Sequence, residues 1–96
     1  MLAQPFAYIV SYDLKGRPSA YMPLINELKS SHTWWHYLDS TWIILRRETL
    51  VELSPKLRKL IFQNDRLLIM PAKGPSDGWL PKDAWKWMQD NVPSTW

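Results

Sequence analysis

The stretch "HTWWHYLDSTWIILRR", from His32 to Arg47, decides the fold. Two runs rich in β-branched and aromatic residues, Thr33 to Leu38 and Thr41 to Arg46, are typical of β-strands. Between them lies the pair Asp39-Ser40, which is the right length and polarity for a two-residue hairpin turn. The sequence therefore predicts an antiparallel hairpin in the middle of the chain, from which the other elements can be placed.

One more strand is predicted on each side of this hairpin. Phe6 to Leu14 and Arg66 to Pro71 are short apolar runs bounded by turn-prone residues. A helical pattern lies between the hairpin and each of these strands. In the first, apolar residues recur at spacings of three and four from Tyr21 onward. The second begins with Thr49 and Glu52, which have the spacing of a capping box. The order β-α-β-β-α-β predicts a ferredoxin-like α+β fold, an antiparallel sheet with two helices on one face.

Prolines mark two further features. Pro55 interrupts the second helix, where we expect a kink or the start of a new helix. A third helix is predicted from Pro81 to about Asn91, with the proline in its first turn. We expect residues 1–78 to form the ferredoxin-like domain and residues 79–96 a Trp-rich helical segment packed on it, with Trp79 beside the helix.

The predicted strands are apolar on both of their faces. An antiparallel sheet with one solvated face should instead alternate apolar and polar residues. Two helices can cover one face, so the C-terminal helix or a second copy of the chain must cover the other. We therefore predict a homodimer, with Ile9, Ser11 and Trp42 at its interface.

Composition bounds the class of protein. Ninety-six residues make one domain with a modest core. A net charge of +3 permits an anionic partner such as RNA or DNA without requiring one. The sequence contains no cysteine, no secretory signal and no apolar window of about 18 residues, so we expect a cytoplasmic protein that does not enter a membrane.

The opening stretch raises the question of a metal site or a stacking surface. His32 and His36 are four residues apart, about 13 Å along a strand, which is too far for both to bind one zinc ion. The aromatic rings alternate between the two faces of the strand, Trp35 and Tyr37 on one and Trp34 on the other. A platform for nucleobases keeps its rings on one face among basic residues, so the pattern favours rings that form walls of the core and the interface.

Asp13 is the unexpected residue, a carboxylate at the end of an apolar strand. Its side chain can cap the turn that follows. Alternatively, it binds Mg²⁺ or Mn²⁺, because hard cations prefer carboxylate oxygens and often take only one or two from a protein. One carboxylate cannot form a hydrolytic site alone, but two copies across a two-fold axis can. In that case Asp13 is both the metal ligand and the catalytic residue.

Four basic residues are candidates for contacts with nucleic-acid phosphates. Lys15 and Arg17 follow the first strand, and Arg46 and Arg47 follow the hairpin. Contacts of this kind position a nucleic acid and weaken as salt rises. The sequence has neither a glycine-rich phosphate loop nor a Ser/His/Asp order, which excludes the nucleotide-binding fingerprints and argues against serine hydrolases.

Several short motifs resemble a known group of proteins. These are "YDL" at the end of the first strand, "STW" entering the second hairpin strand and "DRLLIMP" in the last strand. Together they resemble the small ferredoxin-like CRISPR-associated endonucleases, the VapD-type ribonucleases and the compact SinR-family proteins. The segment "WWHYLDSTW" is most similar to the SinR family, and the resemblance covers about residues 6 to 72.

The resemblance implies a homodimer in which Asp13 sits at the dimer axis and holds a divalent metal for phosphodiester cleavage. Ser40 and Trp42 match a serine and an aromatic residue of the second hairpin strand in that family. The chain departs from the family after Pro71, where a short strand that pairs with the partner's sheet is replaced by a Trp-rich helix. The mode of dimerisation is therefore expected to differ.

Two functions are compatible with the sequence and stay open at this point. The first is a homodimer that engages nucleic acid and acts as a metal-dependent nuclease through Asp13. The second is a non-enzymatic interaction or adaptor module of the same fold, whose Trp-rich surface binds another protein. Members of the resembling family also serve as non-catalytic nucleic-acid scaffolds, so the fold alone does not choose between them.

Overall fold

The structure is a computed structural model that describes residues 5–93. Predictions for residues 1–4 and 94–96, the outer ends of the two predicted segments, lie outside the described residues. One sheet has four strands, β1 (Phe6–Asp13), β2 (Thr33–Leu38), β3 (Thr41–Arg46) and β4 (Arg66–Pro71). Their order across the sheet is β2-β3-β1-β4, and all neighbours are antiparallel. The predicted ferredoxin-like arrangement is confirmed.

The central hairpin forms as the sequence indicates. Leu38 pairs with Thr41 across the turn, and the pairing shifts by one residue between Trp35 and Leu38, which marks a β-bulge in β2. β1 lies in the middle of the sheet because it pairs with β3 on one side and with β4 on the other. β2 and β4 are consequently the two edge strands.

Two helices follow β1 and β3. The first, α1 (Met22–Lys29), begins after a short 3-10 turn, and the second, α2 (Leu50–Arg58), begins at the capping box. The Glu52 N–H donates to the Thr49 hydroxyl at 3.4 Å, and the Thr49 N–H donates to the Glu52 carboxylate at 2.9 Å. A single helix runs through Pro55, so no second helix begins there. Val51, one turn earlier, is exposed, so water can reach the carbonyl that the proline leaves without a donor.

The first core lies between the sheet and the two helices α1 and α2. It contains buried side chains from the inner positions of the strands and from one face of each helix, namely Tyr8, Val10, Leu24, Leu28, Trp42, Ile44, Leu53 and Leu57. The helical members recur at spacings of four, which is the apolar stripe of a helix that covers a sheet.

A third helix, α3 (Lys82–Asn91), lies on the opposite face of the sheet. Ala84 is buried there in a second cluster with Trp35, Ile43 and Ala72. Two hydrogen bonds fix the helix to β2: the Trp35 indole N–H donates to the Ala84 carbonyl at 3.2 Å, and the Trp87 indole N–H donates to the Thr33 hydroxyl at 3.0 Å. Within residues 5–93 no helix is long and apolar enough to cross a membrane.

Trp79 does not pack beside α3, contrary to the expectation from the sequence. Its side chain is 98% exposed, and Leu80 packs against the second cluster instead. Gly78, with a φ of +154°, precedes Trp79 in a backbone conformation that L-residues rarely adopt. The indole of Trp79 is left in solvent while the next residue reaches the second cluster.

The second face of the sheet is only partly covered by α3. The helix contacts β2, at one edge of the sheet, whereas β4 forms the other edge. On β4, Leu68 is 55% exposed and Met70 is 45% exposed, and both face the same side as their β1 partners Ser11 and Ile9. We call Ser11, Leu68 and Met70 the open strip. The apolar face is thus covered within one chain on the β2 side and uncovered on the β4 side.

The packing of α3 predicts opposite results for two tryptophans of the C-terminal segment. Trp87→Ala should lower the free energy of unfolding by about 2 to 3 kcal/mol, because a partly buried ring loses less than the roughly 3–5 kcal/mol of a fully buried one. Trp79→Ala should change it by less than about 0.5 kcal/mol. Urea unfolding followed by circular dichroism measures both. Equal stability of Trp87→Ala and the wild type would mean that α3 does not hold to the sheet.

Candidate functional site

Asp13 ends β1 on the open side of the sheet. Its direct partner on β4 is Arg66, and its carboxylate is 2.9 Å from the Lys15 ammonium. The Asp13 side chain is 64% exposed, so the pair is in contact with solvent. A surface pocket joins Asp13 to the open strip and is lined by Ser11, Tyr12, Asp13, Arg66, Leu67 and Leu68.

Among the residues that line this pocket, Asp13 supplies the one carboxylate. Within residues 5–93, no group of three or more His, Cys, Asp or Glu side chains lies close enough together to hold a metal ion. The Lys15 ammonium also competes with any cation for the Asp13 oxygen that it contacts. The residues of one chain therefore do not make up a metal centre, and a divalent ion fits here only if a second copy contributes its own carboxylate.

The loop after Asp13 is held by Asp65, the first residue of the motif "DRLLIMP" and one for which the sequence predicts no role of its own. The Lys15 N–H and the Phe62 N–H each donate to the Asp65 carboxylate at 2.8 Å, and the Tyr21 hydroxyl donates to it at 2.9 Å. The Gly16 N–H in turn donates to the Tyr21 hydroxyl at 2.8 Å. Burial tends to raise the pKa of the Asp65 carboxyl, but these donors outweigh it and the pKa lies below its ordinary value.

Arg46 and Arg47 stand at the other end of the sheet from Asp13. Arg46 pairs with Phe6, the first residue of β1, whereas Asp13 is the last, so about 23 Å of strand separates the two ends. Lys15 and Arg17 follow Asp13 in the chain, and the Lys15 ammonium contacts its carboxylate. The structure therefore places Asp13, Lys15 and Arg66 in one group and puts Arg46 and Arg47 elsewhere.

Arg46 is buried in an ion network rather than presented at the surface. Its guanidinium contacts the carboxylates of Glu27 and Glu48 at 2.8 Å each, and it also donates to the Glu27 carbonyl and the Ser31 hydroxyl. The Lys56 ammonium lies 2.6 Å from Glu48. Hydrogen bonds from Arg46, helped by Lys56, lower the pKa of Glu48 to about 2. The guanidinium is therefore engaged within the protein and joins α1 to the segment before α2.

The three predicted interface residues occupy different surroundings. Ile9 is partly buried against the second cluster, and the Ser11 hydroxyl is 3.2 Å from the Thr41 hydroxyl on the open face. Trp42 is buried on the helix side of the sheet, and its indole N–H donates to the Tyr12 hydroxyl at 3.0 Å. Trp42 therefore contributes to the first core, and only Ser11 belongs to the open strip.

His36 packs on a buried ring. Its ring stacks on Trp42, with centroids 3.8 Å apart and an angle of 12° between the planes. Its Nε2 atom is 3.0 Å from the Asp39 carbonyl. The ring is thus engaged by an aromatic neighbour and by backbone.

The chain is similar to one solved structure, described as a hypothetical protein, TT1823, from Thermus thermophilus. The two share 28% sequence identity and a TM-score of 0.59 over 80% of this chain and 95% of that one. No family profile matches the chain, and no curated protein matches it either. The likeness supports the fold and carries no statement about activity.

The Arg46 network predicts a loss of stability in acid. A carboxyl whose pKa falls from 4.5 to about 2 on folding stabilises the fold above pH 4.5, and that stabilisation disappears as the pH falls toward 2. We expect it to amount to about 2 to 3 kcal/mol, since each pKa unit corresponds to about 1.4 kcal/mol and the group is partly solvated. Glu48→Gln should be less stable at pH 7 and should depend less on pH in this range.

Urea unfolding at several pH values between neutral and acid tests this expectation. Asp90→Asn is the matched control, because it removes an exposed ion pair, Lys86 with Asp90 at 2.9 Å, and should change little. An acid profile for Glu48→Gln that overlies the wild type would show that the network does not carry the acid dependence.

Proposed function

We propose that this chain forms a homodimer that binds nucleic acid and cleaves phosphodiester bonds with a divalent cation, Mg²⁺ or Mn²⁺, held between two copies of Asp13. The observation that carries the proposal is the open strip, an uncovered apolar surface that continues directly into the Asp13 pocket. The motifs that resemble the small CRISPR-associated, VapD-type and SinR-family proteins support the same proposal.

The open strip is suited to bind a second copy of the same chain. Leu68 and Met70 lie on an edge strand, where an uncovered apolar row invites another chain. A second copy placed there by a two-fold axis would cover both strips at once, because such an interface uses the same patch on both subunits. It would also bring a second Asp13 toward the first, which one chain cannot supply.

Within this dimer the residues around Asp13 have separate roles. Lys15 and Arg66 are positive groups beside the carboxylate, and Arg17 follows two residues after Lys15; all three would contact phosphates of the nucleic acid. Asp13 would leave its pair with Lys15 and contribute its charge to the cation site. The cation, when bound, would stabilise the charge that develops on phosphate oxygen. Either copy alone would bind nucleic acid without cleaving it.

A second candidate is a non-enzymatic interaction module of the same fold. Trp79 favours it, because a tryptophan that is 98% exposed on a loop is unusual outside interfaces. Because α3 packs on the sheet, the surface offered to a protein partner would be the loop that carries Trp79 and not a detached helix. Either candidate would act in the cytoplasm, where a sequence without cysteine is compatible with reducing conditions.

The dimer is tested by sedimentation equilibrium at micromolar concentration. We expect twice the monomer mass of 11.4 kDa. Leu68→Asp should shift the equilibrium to the monomer by placing a charge in the open strip. Val51→Asp is the control, because Val51 is 83% exposed on α2, on the other side of the sheet. A wild type that stays monomeric would remove the dimer and, with it, the shared cation.

The catalytic role of Asp13 is tested by Asp13→Asn, which keeps the size of the side chain and removes its charge. We expect cleavage that requires Mg²⁺ or Mn²⁺ and is abolished by a chelator, and a loss of more than about 100-fold in the variant, since even outer partners of a metal site are worth about 10- to 100-fold. Binding of nucleic acid should be largely kept. Thermal melts should show stabilisation by Mn²⁺ in the wild type alone.

Asp90→Asn serves as the control here too, because Asp90 forms an exposed pair with a lysine at the same distance, 2.9 Å, as Asp13 does. This control should cleave like the wild type. Full activity in Asp13→Asn, or a wild type that divalent ions do not stabilise, would contradict the nuclease and leave Asp13 as the cap of the following turn.

A further inference from the structure

Three aromatic rings form a cluster on edge strand β2 and its neighbour β3. The His36 ring stacks on Trp42, and Trp34 lies against the same Trp42 ring with centroids 5.3 Å apart and an angle of 49°. Trp42 is buried, whereas Trp34 is 39% exposed and His36 is exposed. We call Trp34, His36 and Trp42 the aromatic platform: two accessible rings supported from below by a buried one.

Hydrogen bonds hold two of these rings in place. The Trp42 indole N–H donates to the Tyr12 hydroxyl at 3.0 Å, and the His36 Nε2 atom is 3.0 Å from the Asp39 carbonyl. Rings that are fixed in this way lose little conformational entropy when another planar group stacks on them. The platform is therefore organised before any ligand arrives.

A positive charge accompanies the platform. The Lys29 ammonium, at the end of α1, lies over the Trp34 ring, 5.7 Å from its centroid. A base that stacks on this ring would displace the flexible lysine side chain, whose ammonium would then meet the phosphate of the same nucleotide. An apolar peptide would use the ring but would gain nothing from the lysine.

The His36 side of the platform lies toward the Asp13 end of the sheet, whereas Trp34, paired with Ile44, is level with Tyr8 near the other end of β1. Tyr12, the residue before Asp13, donates its backbone N–H to the Ser40 carbonyl in the hairpin turn at 3.0 Å. Its hydroxyl accepts the hydrogen bond from Trp42. One residue thus connects the platform on the helix side to Asp13 and Lys15 at the end of the strand. A strand of nucleic acid that stacks on the platform can continue to Asp13 around that end.

We propose that the aromatic platform stacks an unpaired nucleobase, so that the nucleic acid taken by this chain is single-stranded. In a duplex the faces of the bases are covered by their neighbours and cannot stack on protein rings. This inference rests on the proposed function and adds the class of substrate to it. The stacked base would be held by Trp34 and His36, the phosphate beside it by Lys29, and phosphates further along the strand by the basic residues near Asp13.

The first test uses the unaltered protein. A fluorescently labelled oligothymidylate is compared with a strand of the same length in which abasic sites replace most nucleotides, and with the corresponding duplex. The abasic strand keeps every phosphate and lacks the bases. We expect the wild type to bind the oligothymidylate about 5- to 150-fold more tightly than the abasic strand, as for one stacked base. The duplex should also bind more weakly than the oligothymidylate.

The second test removes the rings. Trp34→Ala and His36→Ala should each reduce the preference for the oligothymidylate over the abasic strand and leave binding of the abasic strand unchanged. Tyr37→Ala is the matched control, because Tyr37 lies on the same strand, is 42% exposed and contacts Trp35 on the opposite face. It should keep the full preference. Circular dichroism melts confirm that each variant is folded.

The outcomes separate this inference from the proposed function. Binding that is equal for the oligothymidylate, the abasic strand and the duplex would overturn the stacking platform and leave a protein that binds phosphates alone. Loss of the preference in Tyr37→Ala, with Trp34→Ala unaffected, would also overturn it. A wild type that binds none of the three nucleic acids would overturn the proposed function and the inference together.

Discussion

A sheet with apolar side chains on both faces must be covered twice, and most of this fold results from that constraint. Helices α1 and α2 cover one face because the connections after β1 and β3 both lie on that side. Within the part of the chain that the structure describes, only the segment after β4 is left to cover the other face. Since α3 is the one further helix among residues 5–93 and is ten residues long, it covers part of that face and no more. The exposed Leu68 and Met70 are the result.

Two polar networks hold the ends of the sheet where the apolar cores stop. At one end the buried Arg46 links the end of α1 to the segment before α2 through Glu27 and Glu48. At the other end Asp65 joins the loop after β1 to the turn before β4. Each buried charge is matched by several partners, which is the condition under which burial of a charge is tolerated. The Asp65 network also fixes the backbone of Lys15, and thereby the surroundings of Asp13.

The features that the sequence predicts well depend on near neighbours in the chain. The capping box of Thr49 and Glu52 involves residues three positions apart, so local chemistry decides it. Asp65 could not be found in the same way, because its donors Lys15 and Tyr21 are 50 and 44 positions away and only the fold brings them to it. The expectation for Trp79 rested on its apolar character alone, whereas the folded chain leaves the ring in solvent. Elements and caps are therefore predictable, whereas long-range partners and the exposure of single rings are not.

The two ends of β1 have different chemistry, and this difference bears on function. At the Phe6 end, charges are buried and paired with one another, so they stabilise the fold and offer little to a ligand. At the Asp13 end, the charged pair with Lys15 is exposed, and the neighbouring Tyr12 accepts a hydrogen bond from the Trp42 ring. Exposed ion pairs contribute little to stability, since water screens them. Asp13 and Lys15 can consequently change partners at small cost, which is what binding of a cation and a phosphate at this end of the sheet would require.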